Sequence, residues 1–146
     1  MLVRKVMSSP VISVTSETTI RDAAERMREN DVGALPVLQD GRPIGIVTDR
    51  DIVMRALAAT GFALALDTRI GDIITRKVIS CFVDQDAADA AALMGEKRIR
   101  RLLVIDRSGA ASGILSIGDI AEHVSEELAG QTLGEICEAR ARDMPD

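Results

Sequence analysis

The octapeptide Gly45-Ile46-Val47-Thr48-Asp49-Arg50-Asp51-Ile52 returns 68 positions later as Gly113-Ile114-Leu115-Ser116-Ile117-Gly118-Asp119-Ile120, and the residues upstream of each copy match in kind. Such a duplication constrains the fold to two like units, because one order of strands, turns and helices must be satisfied twice. Each octapeptide is an apolar strand running into a hydroxyl (Thr48, Ser116), with a carboxylate three residues on (Asp51, Asp119) and then a helix.

In the first copy, Val11-Ile12-Ser13-Val14 reads as a short strand, and Ser16 or Thr18 is placed to cap the helix that follows. Ile20, Ala23, Ala24 and Met27 at i, i+3, i+4 and i+7 give that helix an apolar stripe opposite Arg21, Asp22, Glu25, Arg26 and Arg28, and Asn30-Asp31 ends it. A strand from Ala34 to Leu38, a turn at Gln39-Asp40-Gly41-Arg42-Pro43 and a returning strand from Ile44 to Val47 form a hairpin. A second helix starts near Asp49 and runs to about Thr60, with Gly61 placed to stop it.

The second copy repeats this order: strand Val78 to Val83, helix with Ala87, Ala90, Ala91 and Met94, strand Leu102 to Ile105, strand Gly113 to Ser116, and a helix from Asp119 carrying Ile120, Ala121, Val124 and Leu128. The helical stripe recurs at an offset of 67, and one extra residue in the turn Asp106 to Ala111 makes it 68 afterwards. A unit of three strands and two helices buries little alone, so the two are expected to pack sheet against sheet about a pseudo-twofold axis. The expected organisation is a first unit at 1–61, a linker at 62–69, a second unit at 70–129 and an irregular tail at 130–146. In that tail Leu133, Ile136 and Cys137 either pack or fray. The fold class is α/β in the broad sense, more narrowly α+β.

Composition excludes several classes. With 47% hydrophobic and 28% charged residues the chain is neither disordered nor membrane-embedded, and Met1 to Val6 lacks the apolar block of a secretory signal, so a cytoplasmic location is expected. Two cysteines far apart, Cys81 and Cys137, suggest reduced thiols rather than a disulfide framework or zinc site, and the single His123 builds no metal centre. A net charge of −5 and only two aromatic residues, Phe62 and Phe82, argue against nucleic acid as a partner. No nucleophile–base pair or Gly-rich phosphate loop is present, so no enzyme activity is expected.

The tandem strand-helix-strand-strand-helix order resembles the CBS domain, on Val32-Gly33-Ala34-Leu35-Pro36-Val37 before the first hairpin and on Gly-hydrophobic-hydrophobic-Thr/Ser-x-x-Asp after the hairpin in both copies. Two such units form a Bateman module, and the likeness covers roughly Met7 to Ile52 and Ile73 to Ala121, in the manner of small bacterial proteins made of one CBS pair. The resemblance implies a regulatory sensor of adenosine-containing ligands (AMP, ADP, ATP, S-adenosylmethionine or NAD), held in clefts between the units. It further implies a homodimer and a separate, unidentified effector protein, with no cofactor required beyond the regulatory nucleotide.

By the same resemblance Thr48 and Ser116 would meet phosphate, and Asp51 and Asp119 would grip the ribose hydroxyls. The residues alone allow this, since the first N–H groups of a helix are without intrahelical partners and a carboxylate accepts from a diol. They equally allow a plain capping box, Ser/Thr-x-x-Asp closing the helix on itself. Arg100 and Arg101, with Lys97 and Arg98, stand where the first copy has Asp31, Gly33 and Ala34, and are either phosphate ligands or a solvated basic edge. An adenine slot could draw on Val14, Leu35, Pro36 and Val37, or on Cys81, Leu102, Leu103 and Val104, all of which serve a core equally well. Thr18, Ala23, Gln85 and Ala90 lie where some family members contact base and ribose. The alternative to a sensor is a ligand-free protein-interaction or dimerisation module.

Overall fold

The computed structural model describes residues 1–58 and 66–143. The expected end of the second helix at Thr60-Gly61 and residues 62–65 of the linker lie outside them. Packing divides the chain into two compact units that cut across the sequence repeat. One is Ile12–Val78, hereafter the first-repeat unit; the other joins Met1–Val11 to the chain from Ile79 onward and is the second-repeat unit. The boundaries drawn from the duplicated pattern follow descent of the sequence, whereas the packing exchanges the segment that leads into each copy.

In the first-repeat unit, helix α1 (Ile20–Asn30) is capped by Thr19, whose Oγ1 accepts from Asp22 N at 3.2 Å. The cap is one residue later than expected, because Thr18 is spent in a turn: its Oγ1 accepts from Thr15 N and its carbonyl from Ile70 N. Asp31 ends the helix in the left-handed region at φ 51°, its N–H answering the carbonyls of Arg28 and Met27. Ile20, Ala23 and Met27 are buried, and Ala24 falls on the solvent side.

Strands β1 (Ala34–Gln39) and β2 (Arg42–Thr48) pair antiparallel across Asp40-Gly41, both at positive φ as a tight hairpin requires. The expected strand at Val11 to Val14 contracts to a single parallel bridge, Val14 to Val37, so this sheet has two strands. The reason is the exchange: residues up to Val11 belong to the other unit, and only Val14 reaches β1 before the turn into α1. Helix α2 (Asp49–Asp51) continues as a wider π-type turn over Ile52–Leu57.

The second-repeat unit has a three-stranded sheet, with β3 (Ser80–Phe82) parallel to β4 (Arg101–Ile105) and β5 (Ala111–Ser116) antiparallel to β4. Its helices are α3 (Ala87–Lys97), α4 (Ile117–His123) and α5 (Glu126–Asp143). As far as Asp143 the tail is therefore helical, not irregular. The expected single helix through Leu128 breaks at Val124, and Ser125 restarts it by accepting from Leu128 N at 3.1 Å. Ala129, Thr132 and Ile136 form a buried stripe at i, i+3 and i+7 where α5 packs against α3 and α4, while Leu133 and Cys137 are exposed.

The exchanged segments are built alike. Each opens with a 3₁₀ turn, Val3–Lys5 or Ile70–Asp72, and then bridges the returning strand of a hairpin. Ser8 exchanges hydrogen bonds with Ile114 at 2.9 and 3.0 Å, and Thr75 with Ile46 at 3.0 and 3.1 Å. The signature glycines make room for this: a Cβ on Gly45 would lie 2.9 Å from the Thr75 carbonyl oxygen, and one on Gly113 would lie 2.7 Å from that of Ser8. The exchange also completes the cores. Ile70, Ile73 and Ile74 join Ile20, Leu35 and Val47 in the first-repeat unit, and Val3 and Val6 join Leu102, Leu115 and Ile120 in the second.

Candidate functional site

Each hairpin delivers its last residue, Thr48 or Ser116, in an extended conformation to the start of a helix, and the same closed box forms twice. Thr48 N donates to Asp51 Oδ2 at 2.9 Å and Asp51 N to Thr48 Oγ1 at 3.1 Å; Ser116 N donates to Asp119 Oδ2 at 2.9 Å and Asp119 N to Ser116 Oγ at 3.1 Å. All four side chains are half-buried. The capping box is thus present in both copies.

This changes what the notch offers. The expectation of open helix N–H groups is corrected, because most are engaged: Asp49 N donates to Gly33 O at 3.0 Å, Ile117 N to Arg100 O at 3.0 Å, and Arg50 N to Asp49 Oδ1 at 2.8 Å. What remains is side-chain capacity. A hydroxyl that accepts one N–H keeps its own hydrogen to donate, and a carboxylate with one oxygen in the box has acceptor sites left for a diol. Asp51 also faces Arg55, Oδ1 to Nε at 3.7 Å, and Arg55 Nη1 donates to Ile73 O at 3.2 Å.

The charged surroundings of the two boxes differ. Asp31, Gly33 and Ala34 in the first copy correspond to Arg98, Arg100 and Arg101 in the second, and Asp49-Arg50 to Ile117-Gly118. Arg98 takes the same left-handed helix-ending conformation as Asp31, at φ 61°. Arg101 pairs directly with Ser116 across β4 and β5, as Ala34 does with Thr48, so the arginine shares a sheet face with the serine. Arg100 and Arg101 are exposed and form no ion pair among the described residues.

The remaining sequence-predicted residues are placed differently. Leu35 and Ala23 are wholly buried in the first core at 0% exposure, Pro36 is buried with its carbonyl accepting from Val14 N, and Thr18 is half-buried in its turn. In the second unit Cys81, Ala90, Leu102, Leu103 and Val104 are likewise core, and Gln85 Oε1 accepts from Phe82 N at 2.8 Å. Apart from half-buried Thr18 and Gln85, these side chains are packed into the core of their unit. Burial pushes the Cys81 thiol up to about 11. The residues that sequence reasoning overlooked are Asp49 and Ile117, although aligning the two octapeptides residue by residue brings them out.

Among the described residues there is no cluster of His, Cys, Asp and Glu able to hold a metal ion, and no helix long and apolar enough to cross a membrane. A CBS domain family model matches the chain twice, at residues 3–58 and 70–126. The chain therefore belongs to the CBS domain family. It is 33% identical over 135 residues to the CBS domain-containing protein YhcV of Bacillus subtilis, an alignment covering 92% of this chain and 94% of that one. Its fold is similar to the CBS domain pair of protein MJ0100 in complex with 5′-methylthioadenosine and S-adenosyl-L-methionine, with a TM-score of 0.72 and 29% identity over 84% of this chain and 94% of that one. It is also similar to the CBS domain protein PAE2072 of Pyrobaculum aerophilum complexed with AMP, with a TM-score of 0.74 and 26% identity over 92% and 98%.

Proposed function

We propose that the protein is a regulatory module that binds adenosine-containing small molecules at its two hydroxyl–carboxylate notches and signals to another protein, without catalysing a reaction. The observation that carries this reading is the duplicated box itself, with equal distances in two units that otherwise diverge in charge. A purely structural cap needs neither the matched half-burial nor two copies in one context, and two family members of similar fold are complexed with adenosine compounds. In this reading Asp51 and Asp119 accept from the ribose 2′ and 3′ hydroxyls, Thr48 and Ser116 donate to the 5′ substituent, and Arg100 and Arg101 answer phosphate where it is present. Charge-assisted bonds of that kind contribute about 1.5–3 kcal/mol each. Because most of the helix N–H groups are engaged, affinity for phosphate rests mainly on these side chains.

Native mass spectrometry of the purified chain, followed by calorimetric titration with AMP, ATP, 5′-methylthioadenosine and S-adenosylmethionine, tests the proposal. A bound adenosine compound that is lost in Asp51→Ala and Asp119→Ala supports it; flat heats for all four at millimolar concentration contradict it.

One observation favours a second reading, an interaction module that dimerises without ligand. Val53 and Met54 are 52% and 57% exposed, beside Asp49 and Arg50 in a shallow open hollow. If that hollow is where a second copy docks, Val53→Asp halves the sedimenting mass and leaves nucleotide titrations unchanged.

A further inference from the structure

The two notches differ in the charges around them, and what this implies for a ligand rests on the reading of them as adenosine sites. We infer that Asp49 is a built-in anion that keeps phosphate out of the first-repeat notch, reserving it for an adenosine compound whose 5′ substituent is neutral or cationic, while Arg100 and Arg101 direct phosphorylated ligands to the second.

Asp49 follows the box threonine directly. Its Oδ1 accepts the Arg50 N–H at 2.8 Å, and its Oδ2 lies 3.1 Å from where a Cβ on Gly33 would be. The carboxylate is thereby held over the loop between α1 and β1, on the residue next in sequence to the box threonine. Gly33 has no side chain to displace it. Two further carboxylates, Asp31 and Asp51, stand on the same turn system, against Arg50 and Arg55. Arg55 is already engaged with Asp51 and with the Ile73 carbonyl, leaving Arg50 as the cation with no ion pair among the described residues. A phosphate brought to this rim approaches the exposed Asp49 carboxylate, whose like charge opposes it. A methylthio group meets no such penalty, and a sulfonium gains from it.

At the second box the same positions lack the carboxylate and carry guanidiniums instead. Ile117 replaces Asp49, so no carboxylate lies over the loop; Arg100 replaces Gly33; and Arg101 shares a face with Ser116. The phosphate-tolerant notch is the one that exchanged one acidic residue for an aliphatic one and gained two guanidiniums.

Amide NMR titration of the full chain tests this, with Thr48 and Asp51 reporting on one notch and Ser116 and Asp119 on the other. The probes are AMP and 5′-methylthioadenosine, added to wild type, Asp49→Ile, Asp49→Asn and Arg101→Ala. AMP is expected to saturate only the Ser116/Asp119 reporters in wild type. In both Asp49 variants its affinity at Thr48/Asp51 should rise about tenfold or more, the order expected for removing one nearby like charge, with 5′-methylthioadenosine changed little there. Asp49→Asn keeps the acceptor for Arg50 N–H, so it separates charge from shape if Asp49→Ile perturbs the fold. AMP binding at Thr48/Asp51 in wild type as tightly as at the second notch overturns the inference, as does an Asp49→Asn protein that still excludes AMP while binding 5′-methylthioadenosine at that notch. Absence of any adenosine binding in wild type overturns both this inference and the function it rests on; binding with no difference between notches overturns this inference alone.

Discussion

The two repeats agree where the backbone must do the same thing and differ where only a side chain is at stake. Their capping boxes match in every distance, their first helices end in the same left-handed residue, and their hairpins shift register at the equivalent position, between Val37 and Leu38 and between Val104 and Ile105. Around that shared frame the charge shifts from acidic to basic: Asp31 gives way to Arg98, Asp49 to Ile117, and Gly33 and Ala34 to Arg100 and Arg101. Exposed charges contribute little to folding, about 0–1 kcal/mol per pair, so they were free to diverge while the frame was not. Divergence of charge on a conserved frame is what two sites of different ligand preference require.

The comparison can be broken most forcefully at the exchanged segments. Deleting residues 1–8 removes Val3 and Val6, 0% and 4% exposed, from the second-repeat core. The cost is about 3–6 kcal/mol at about 1.5–3 kcal/mol per buried valine. Hydrogen exchange followed by mass spectrometry should show protection lost in β4, β5 and α3 and kept in α1 and β1; uniform loss in both units would mean the units do not fold as divided here. Gly45→Val and Gly113→Val probe the same joint more gently. Each places a side chain against a backbone carbonyl and should cost about 1–3 kcal/mol in urea denaturation. Equal effects sharpen the equivalence of the repeats, and a large inequality breaks it.

Smaller effects come from the boxes. Asp51→Ala and Asp119→Ala should each lower stability by about 0.5–2 kcal/mol through lost capping. Asp51→Ala should be the costlier by up to about 1 kcal/mol, because Asp51 also faces Arg55, whose side chain is 51% exposed. The smallest difference concerns the thiols. Burial raises the Cys81 thiol from 9.0 to about 11, so the folded state holds a proton that the unfolded chain releases sooner. The stability this contributes is full below pH 9.0 and declines as pH rises toward 11. Near neutral pH a maleimide should label exposed Cys137 rapidly and Cys81 only after unfolding, as mass spectrometry of the labelled protein would show.

Much of this was legible before any coordinates. The apolar spacing of Ile20, Ala23 and Met27 marks a helix, Asp40-Gly41 marks a hairpin, and the repeated Thr/Ser-x-x-Asp marks both the cap and the candidate site. The exchange was not legible, because Val3–Lys5 and Ile70–Asp72 are equivalent in pattern and nothing in a pattern says which repeat a segment packs upon. Helix α5 was missed for a different reason. Gly130 and Gly134 and the surrounding charges weaken intrinsic helix propensity, and the stripe of Ala129, Thr132 and Ile136 outweighs it only once α3 and α4 are there to receive it. Asp49 draws no notice in the sequence, where it reads as an ordinary acidic residue in the first turn of a helix.

The most direct test of the account is a single titration of wild-type protein with AMP, followed at the backbone amides of Thr48, Asp51, Ser116 and Asp119. Saturable shifts at Ser116 and Asp119, with Thr48 and Asp51 unmoved until far higher concentration, are the predicted result. Equal movement at both pairs, or movement at Thr48 and Asp51 first, would contradict it.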